Sequence, residues 1–420
     1  MTQSSDKSAL VLRERTNPSV APRRFGLALA ATLQLALIQK SRAENQVDYR
    51  YGYYQEDDSR IEVQTHSALF DVTLKEGLLS LSGEVVHDAV SGATPYGAPP
   101  PSKLDYSFAN DLGIPVAGDT NNTSVLLTHM EDERNAFSIE APVTFGVHEV
   151  TPQFSFSEES DYTSYGGALN YSLQLNEKNT TLNVGWAHTS DRVRDTLQAI
   201  HDKRSDDFLA GINQLLGPKT VLGINFTYGE AHGYLNDPYR IMIGVADPQF
   251  DVSGNSPLSG GEELRPNHRE KYIGRVSITQ FITPVNASVE GAYRFYHDSF
   301  GIDAHTAELS WYQKIGKHVI VAPNARYNRQ SAADFYYEAL PGMPFFDPGN
   351  YPTPKYYSPD YRLSELQSFT AGINITVMAT KWLTFDASYK RYIMEGLDGV
   401  TSQSAYPSAN IFSVGARVLF

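Results

Sequence analysis

Several charged residues alternate with apolar ones in a way that could place both signs of charge around one enclosed space. Arg275 precedes the Thr283-Pro284 turn, and Glu290 and Arg294 follow it on one phase of the returning segment. Interleaved arginines and carboxylates around an aqueous opening create a transverse field, which orders water and admits small polar solutes. The same set could instead be a ladder of ion pairs that neutralises charge inside a narrow or plugged interior. Residue types leave both interpretations open.

On nearly every predicted strand, the polar residues that alternate with the apolar ones contribute to this predicted interior wall. Such segments place small or polar residues on one face and aromatic or aliphatic residues on the other. The charged members of the predicted wall are Glu62, Glu84, Asp88, Arg134, Glu140, Arg275, Glu290, Arg294, Glu308, Arg326, Asp386, Lys390 and Arg417.

The segments that must position these charges have the pattern of strands about ten residues long. In residues 165–175, Leu169 and Tyr171 lie on one face, whereas Ala168 and Asn170 lie on the other. The chain has 26 Tyr and 20 Phe but no Cys, a composition that favours strands over helices. The sequence therefore predicts an all-β protein.

Sixteen such segments are predicted, and their connections alternate in length. They begin near residues 47, 60, 79, 134, 148, 164, 180, 205, 220, 270, 286, 304, 318, 365, 382 and 409. The short connections are 75–77, 145–147, 176–179, 217–219, 282–285, 316–317 and 380–381, and the long ones include 95–130, 233–268 and 332–363. This parity predicts a transmembrane antiparallel up-and-down β-barrel with short periplasmic turns and long extracellular loops.

The first segment has the pattern of a signal peptide. Arg23 and Arg24 precede the apolar run 25–38, and Ser41 and Ala43 supply the small residues that a signal peptidase requires. The run is too short for a transmembrane helix, which needs about 20 residues. We therefore predict a signal peptide over residues 1–43 and a barrel over residues 44–420. The net charge of −14 argues against nucleic acid as a partner.

The last strand resembles the terminal signal of Gram-negative outer-membrane barrels. Ser413, Gly415, Val418 and Phe420 supply a polar residue, a glycine and two hydrophobic residues that end in an aromatic. In that class the last strand is read by the barrel insertion machinery and closes against the first strand. The resemblance implies the outer membrane of a Gram-negative bacterium, with lipid and lipopolysaccharide around the barrel.

Three stretches resemble an uncharacterised family of Gram-negative outer-membrane barrels. They are DAVSGATP at residues 88–95, NEKNTT at 176–181 and GYLNDPY at 233–239. The similarity extends through most of the chain after the signal peptide. It implies the barrel fold and adds no catalytic residues.

Four histidines lie on the lipid-facing phase at the outer ends of predicted strands. They are His87, His188, His232 and His297. A metal cluster would bring its ligands within a few ångströms of one ion, but these histidines lie on strands that are not neighbours. We therefore predict interface residues facing lipopolysaccharide, and no metal or cofactor.

Three functions remain open. The first is a porin-like passive channel for small polar solutes or ions, and the second is a non-conducting barrel that scaffolds an envelope partner such as a lipoprotein or redox protein. The aromatic-rich segment 335–361 suits either a binding surface or an inward plug. The third is an outer-membrane enzyme with a site built from several strands. It is disfavoured because the sequence contains no Gly-x-Ser-x-Gly, His-Glu-x-x-His or glycine-rich phosphate-binding motif.

Overall fold

The computed structural model describes residues 45–75, 77–95, 116–117, 125–243, 260–337 and 354–420. Sixteen strands join edge to edge into a closed antiparallel β-barrel. The strands are β1 Gln46–Glu56, β2 Ile61–Lys75, β3 Leu79–Pro95, β4 Val125–Glu140, β5 His148–Glu158, β6 Tyr162–Leu175, β7 Thr180–Arg194, β8 Ile200–Gly217, β9 Thr220–Gly233, β10 His268–Ile282, β11 Ala287–Asp298, β12 Asp303–Ile315, β13 Val319–Gln330, β14 Leu366–Met378, β15 Leu383–Gly396 and β16 Ser408–Leu419. The predicted sixteen-strand barrel is confirmed. The predicted signal peptide lies outside the described residues.

The ring closes between its first and last strands. β1 pairs with β16 from Gln46 opposite Leu419 to Glu56 opposite Ala409. Short turns follow the even-numbered strands, whereas the long connections 234–267 and 331–365 follow β9 and β13. We call the rim that carries these long connections the outer mouth.

The outer face of the barrel is apolar all the way round. Every barrel strand carries at least one large hydrophobic side chain that is exposed, such as Val85 on β3, Trp186 on β7 and Phe412 on β16. A closed sheet has no unpaired backbone edge, so such a surface can face lipid without stranding hydrogen-bonding groups. Within the described residues, no helix is long and apolar enough to cross a bilayer.

A run of left-handed residues makes one of the short turns possible. Asn176, Glu177 and Lys178 have φ values of 51°, 53° and 70°. The Asn179 amide donates to the Asn176 carbonyl at 3.0 Å, so β6 reverses directly into β7. Asparagine tolerates this backbone region better than most residues.

Two strands begin earlier than the sequence pattern predicted. β4 begins at Val125 rather than near residue 134, and β8 begins at Ile200 rather than near residue 205. Their early portions contain runs of charge, including Glu131 to Glu133, which interrupt the apolar alternation ahead of the predicted strand starts. These portions lie at the outer ends of long strands, beyond the apolar band, where no lipid contact requires apolar side chains.

Candidate functional site

Five charged residues of β10 to β13 form a continuous group on the inner face of the barrel. Arg275 Nη2 lies 3.7 Å from Glu290 Oε1 and 3.5 Å from Glu308 Oε2. Arg326 Nε lies 3.6 Å from Glu308 Oε1. Arg294 lies directly opposite Arg275 across the β10–β11 register. We call these five residues the lumenal ladder.

Part of the lumenal ladder is open to solvent although it faces the interior. The side chains of Arg275, Glu308 and Arg326 are 23%, 40% and 51% exposed. Val276 and Ile278, which alternate with these positions, are exposed on the outer face. Ion pairs this long and this open to water stabilise a protein by about 0–1 kcal/mol each. The ladder therefore shapes the electric field of the wall more than it holds the wall together.

A second group of interior charges lies where β16 meets β1. Arg417 Nε donates to Asp48 Oδ1 at 2.8 Å, and Arg50 Nη2 lies 3.4 Å from Asp386 Oδ2. Gly415 makes room for this group, because a Cβ there would lie 2.8 Å from Asp386 Oδ1. Two residues of the predicted wall thus meet two partners that the sequence analysis did not name.

The remaining members of the predicted wall are placed as follows. Asp88 accepts hydrogen bonds from Thr65 Oγ1 at 2.6 Å and from Arg134 Nε at 2.7 Å. Glu84 lies opposite Ser138 on β4, Glu140 opposite Ser82 on β3, and Lys390 opposite Gly372 on β14. The wall charges are therefore distributed around the ring and do not converge on one point.

Glu62 does not belong to the wall, so this prediction was wrong. It shares the β2 phase of His66, whose Nδ1 lies 2.7 Å from the hydroxyl of the outward Tyr49. Gln64, also on that phase, donates to Glu62 Oε1 at 3.0 Å. Polar residues occupy both faces of β2 near its outer end, so alternation alone could not determine the phase of Glu62.

Sequence reasoning missed further interior charges. They are Asp48, Arg50, Asp191, Lys203, Asp207, Arg269, Lys271 and Asp298, which pair within the group or with wall residues already named. The alternation itself was an available signal, since Asp48 and Arg50 alternate with Val47, Tyr49 and Tyr51.

The long loops at the outer mouth meet through a compact set of charges. The set comprises Asp237, Arg240, Glu263, Arg265, Asp360 and Arg362, which we call the mouth network. Arg265 Nε lies 2.6 Å from Glu263 Oε1, and Arg265 Nη2 lies 2.8 Å from Asp360 Oδ2. Arg362 hydrogen-bonds Asp237 and Asp360. The side chain of Arg240 is 0% exposed and lies 3.6 Å from Asp360 Oδ1.

Burial and crowding shift the pKa values in the mouth network in opposite directions. Burial, reinforced by the nearby carboxylates of Asp360 and Asp237, raises the pKa of Glu263 to about 7 in spite of Arg265. Burial also opposes the charged form of Asp360, but Arg362, Arg240 and Arg265 together hold the pKa of this carboxyl well below its usual range. The network thus holds one carboxylate firmly ionised and another that titrates near neutrality.

Contacts from several sides of the ring fix the loops over the outer mouth. The Tyr239 hydroxyl donates to Asp161, which lies in the connection between β5 and β6. Two other connections of this rim are joined to each other, because Arg60, between β1 and β2, donates to the carbonyl of Ser404, between β15 and β16, at 3.0 Å. Backbone hydrogen bonds join Leu264 to Tyr357 at 2.8 and 2.9 Å. The loops of β9 and β13 therefore form one layer with the neighbouring rim.

An apolar cluster anchors the same layer. Phe300, Ile302, Ala333, Phe335 and Leu363 are buried together. The rings of Phe300 and Phe335 meet edge-on at 4.8 Å. In the described part of segment 335–361, the ring of Tyr361 is also buried. These aromatic side chains pack within the protein rather than forming an outward surface.

The residues of the predicted assembly signal occupy both faces of β16. The Ser413 hydroxyl lies 2.7 Å from that of Ser388 on β15, and Gly415 faces Asp386 as described above. Val418 and Phe420 are exposed on the outer face. Their role in assembly stays a prediction.

The four predicted interface histidines lie on the outer face of the barrel, and two of them lie opposite another histidine. His188 and His297 each contact a single carboxylate, at 2.9 and 2.8 Å. His87 lies opposite His66 on β2, and His232 lies opposite His268 on β10. His268 is the first residue of β10 and directly follows the long connection 234–267, so the predicted alternation did not include it.

The sequence matches the family described as protein of unknown function, DUF3570, over residues 25–201 and 191–410. The chain belongs to this family. The DUF3570 barrel is also similar in structure to Gram-negative outer-membrane β-barrel proteins. No curated protein matches its sequence.

Three solved structures illustrate this similarity to the DUF3570 chain. The siderophore receptor PirA from Pseudomonas aeruginosa is 12% identical with a TM-score of 0.42, over 90% of this chain and 62% of the receptor. CdiB from Acinetobacter baumannii is 9% identical with a TM-score of 0.48, over 90% and 61%. OmpT, an outer membrane protein of Vibrio cholerae, is 12% identical with a TM-score of 0.33, over 92% and 100%. The chain thus spans about three-fifths of the length of PirA and CdiB, and the likeness concerns the fold alone.

Proposed function

We propose that this barrel is a passive channel for small polar solutes or ions in the outer membrane of a Gram-negative bacterium. The observation that carries the proposal is the solvent exposure of the lumenal ladder, in which Arg326 is 51% and Glu308 40% exposed while facing the interior. A ring of sixteen strands is wide enough to leave an aqueous space unless other parts of the chain fill it. Fixed charges of both signs along such a space favour small polar solutes over apolar ones.

The outer mouth restricts this channel. The mouth network and the Phe300 cluster hold the loops of β9 and β13 across part of the rim. Access from outside then depends on how firmly this layer stays closed. We expect the channel to have a small conductance while this layer is closed and a larger conductance when the layer loosens.

Planar-bilayer recording tests the proposal. The purified chain should give steady single-channel conductance with a mild cation preference, because the chain is strongly acidic. An Asp360→Asn variant, which disrupts the mouth network, should conduct several-fold more than the wild type. Glu308→Gln in the lumenal ladder is the matched control, since it also neutralises one carboxylate but leaves the mouth intact.

The outcomes separate the candidate functions. If both the wild type and Asp360→Asn are silent, the channel proposal is wrong. A silent barrel that purifies with another envelope protein would favour the scaffold function. Within the described part of segment 335–361, Phe335 and Tyr361 are buried and offer that function little, whereas Tyr336, Tyr337, Tyr356 and Tyr357 are half-buried. We also propose lipid and lipopolysaccharide as the surroundings of the barrel and the barrel insertion machinery as its partner during assembly.

A further inference from the structure

Two imidazoles and one carboxylate converge on the outer surface at the outer ends of β9 and β10. His232 Nε2 lies 2.7 Å from Glu230 Oε1, and His268 Nε2 lies 3.0 Å from the same oxygen. The two rings stack with centroids 4.4 Å apart and planes inclined by 12°. One potential ligand atom from each residue lies within 4.8 Å of the others. All three side chains are half-buried and held by a paired sheet rather than a loop.

We propose that Glu230, His232 and His268 form a binding site for a transition-metal ion of the zinc class. Zinc takes imidazole nitrogen and carboxylate oxygen at about 2.0–2.2 Å, which places neighbouring ligand atoms of a tetrahedron about 3.3 Å apart. The present separations of 2.7 and 3.0 Å need to widen by only a few tenths of an ångström. Three protein ligands leave the fourth position to water.

Metal binding replaces the two hydrogen bonds without charging the imidazoles. Because a carboxylate only accepts hydrogen bonds, each Nε2 that faces Glu230 Oε1 in the free protein is assigned as the protonated nitrogen. On binding, the proton of each Nε2 moves through solvent to Nδ1 of the same ring, so that the Nε2 lone pair faces the ion. Glu230 then contributes the single negative charge of the ligand set.

The strand register adds an independent observation that points to a cation. Glu230 lies directly opposite Glu270, in the pair next to His232 opposite His268 on the same face. Like charges directly opposite one another destabilise a sheet. A divalent ion bound by Glu230 reduces this repulsion, whereas neither histidine can do so while neutral.

Another pair of outward histidines, His66 and His87, also lies opposite in the register of described strands, but its ring centroids are 6.5 Å apart and its hydrogen-bond partners are Tyr49 and Asn135 rather than a shared carboxylate. His66, His87, His188, His297 and His305 each hydrogen-bond to a single side chain. Imidazole ligands favour zinc, copper and nickel, whereas magnesium and calcium favour oxygen alone. The class of ion is therefore set by the pair of histidines.

Zinc titration of the detergent-solubilised barrel, prepared without a histidine tag, tests the site. Calorimetry should detect a site in the wild type whose affinity falls at least tenfold in the double variant His232→Asn/His268→Asn. The His297→Asn variant is the matched control, since this outward histidine also contacts one carboxylate, and it should bind zinc as the wild type does. Glu230→Gln should weaken binding while preserving a hydrogen-bond acceptor for both rings.

A second measurement keeps the test independent of folding. All variants should retain heat-modifiable migration in detergent, and cobalt should give visible absorption bands with the wild type that the double variant lacks. Equal zinc affinity in the folded double variant and the wild type would overturn the proposal. Displacement of zinc by a hundredfold excess of magnesium would overturn the assigned class of ion.

Discussion

The mouth network and the lumenal ladder both consist of arginines and carboxylates but differ in their surroundings. In the mouth network, Asp360 is 1% exposed and Arg265 10%, and their atoms lie 2.8 Å apart. In the ladder, Arg275 lies 3.5 Å from Glu308, which is 40% exposed. Desolvated charges depend on every partner, whereas hydrated charges can lose one and be compensated by water. The charged groups of the mouth network therefore stabilise the loops, whereas those of the lumenal ladder mainly set the electric field in the lumen.

The largest expected effect comes from Asp360→Asn. This change leaves three closely packed guanidinium groups with one carboxylate fewer, and breaking a buried pair in this way costs about 3–5 kcal/mol. We expect the loops of β9 and β13 to detach from the rim while the barrel itself persists. Limited proteolysis of intact vesicles should cut within these loops in the variant. Protection equal to that of the wild type would show that the mouth network does not hold the layer.

A pH change should separate the two regions next. Because the pKa of Glu263 is raised to about 7, the folded loop layer binds a proton more tightly than the unfolded loop does. The resulting stabilisation is present below about pH 4.5, is on the order of 3 kcal/mol at most, and is lost as the pH rises through 7. The depressed pKa of Asp360 adds no change in this window, since its contribution is already complete above its ordinary value.

Conductance at pH 8 should therefore exceed conductance at pH 5.5. Glu263→Gln should remove most of this difference by fixing a neutral side chain at that position. Glu290→Gln, in the hydrated ladder, should leave the pH response unchanged. A wild-type barrel with equal conductance at both pH values would refute the role assigned to Glu263.

A smaller effect on stability, but a clear one on selectivity, is expected in the ladder. Joint neutralisation by Arg275→Gln and Arg294→Gln leaves Glu290 and Glu308 opposed only by Arg326. Reversal potentials in a salt gradient should show a several-fold sharper cation preference, while stability falls by only about 1 kcal/mol. A large loss of thermal stability with unchanged selectivity would show that the ladder fills a closed lumen.

The smallest effect concerns the space beside the β16 charges. Gly415→Ala places a Cβ within 2.8 Å of Asp386 Oδ1, so the Arg50 pair must shift, at a cost of about 1 kcal/mol. Gly274→Ala is the control, because a Cβ there meets no atom within 4 Å. Thermal melting in detergent should distinguish the two variants. Equal melting temperatures would mean that Asp386 moves at no cost.

The sequence predicted the strands well because a two-residue period separates lipid-facing from interior positions wherever one face is apolar. Arg275 and Glu290 followed from this rule, whereas Glu62 failed because β2 is polar on both faces at its outer end. The mouth network could not be predicted, since Asp237 and Arg362 lie 125 residues apart in loops without a period. The position of His268 beside His232 could not be predicted either. It depends on the register between β9 and β10, and a long loop separates these two strands in the sequence.

The pairing of β1 with β16 has a kinetic consequence. Asp48 and Arg417, which meet across this pairing, are 369 residues apart in sequence. Closing so large a loop is slow because it carries an entropic cost, and the compensating hydrogen bonds form only when the two strands align. Opening the ring is also slow, because it exposes the unpaired edges of two strands to lipid at once. The closed barrel should therefore have a high activation barrier to unfolding. Its unfolding rate, rather than its equilibrium stability, sets how long it survives in detergent.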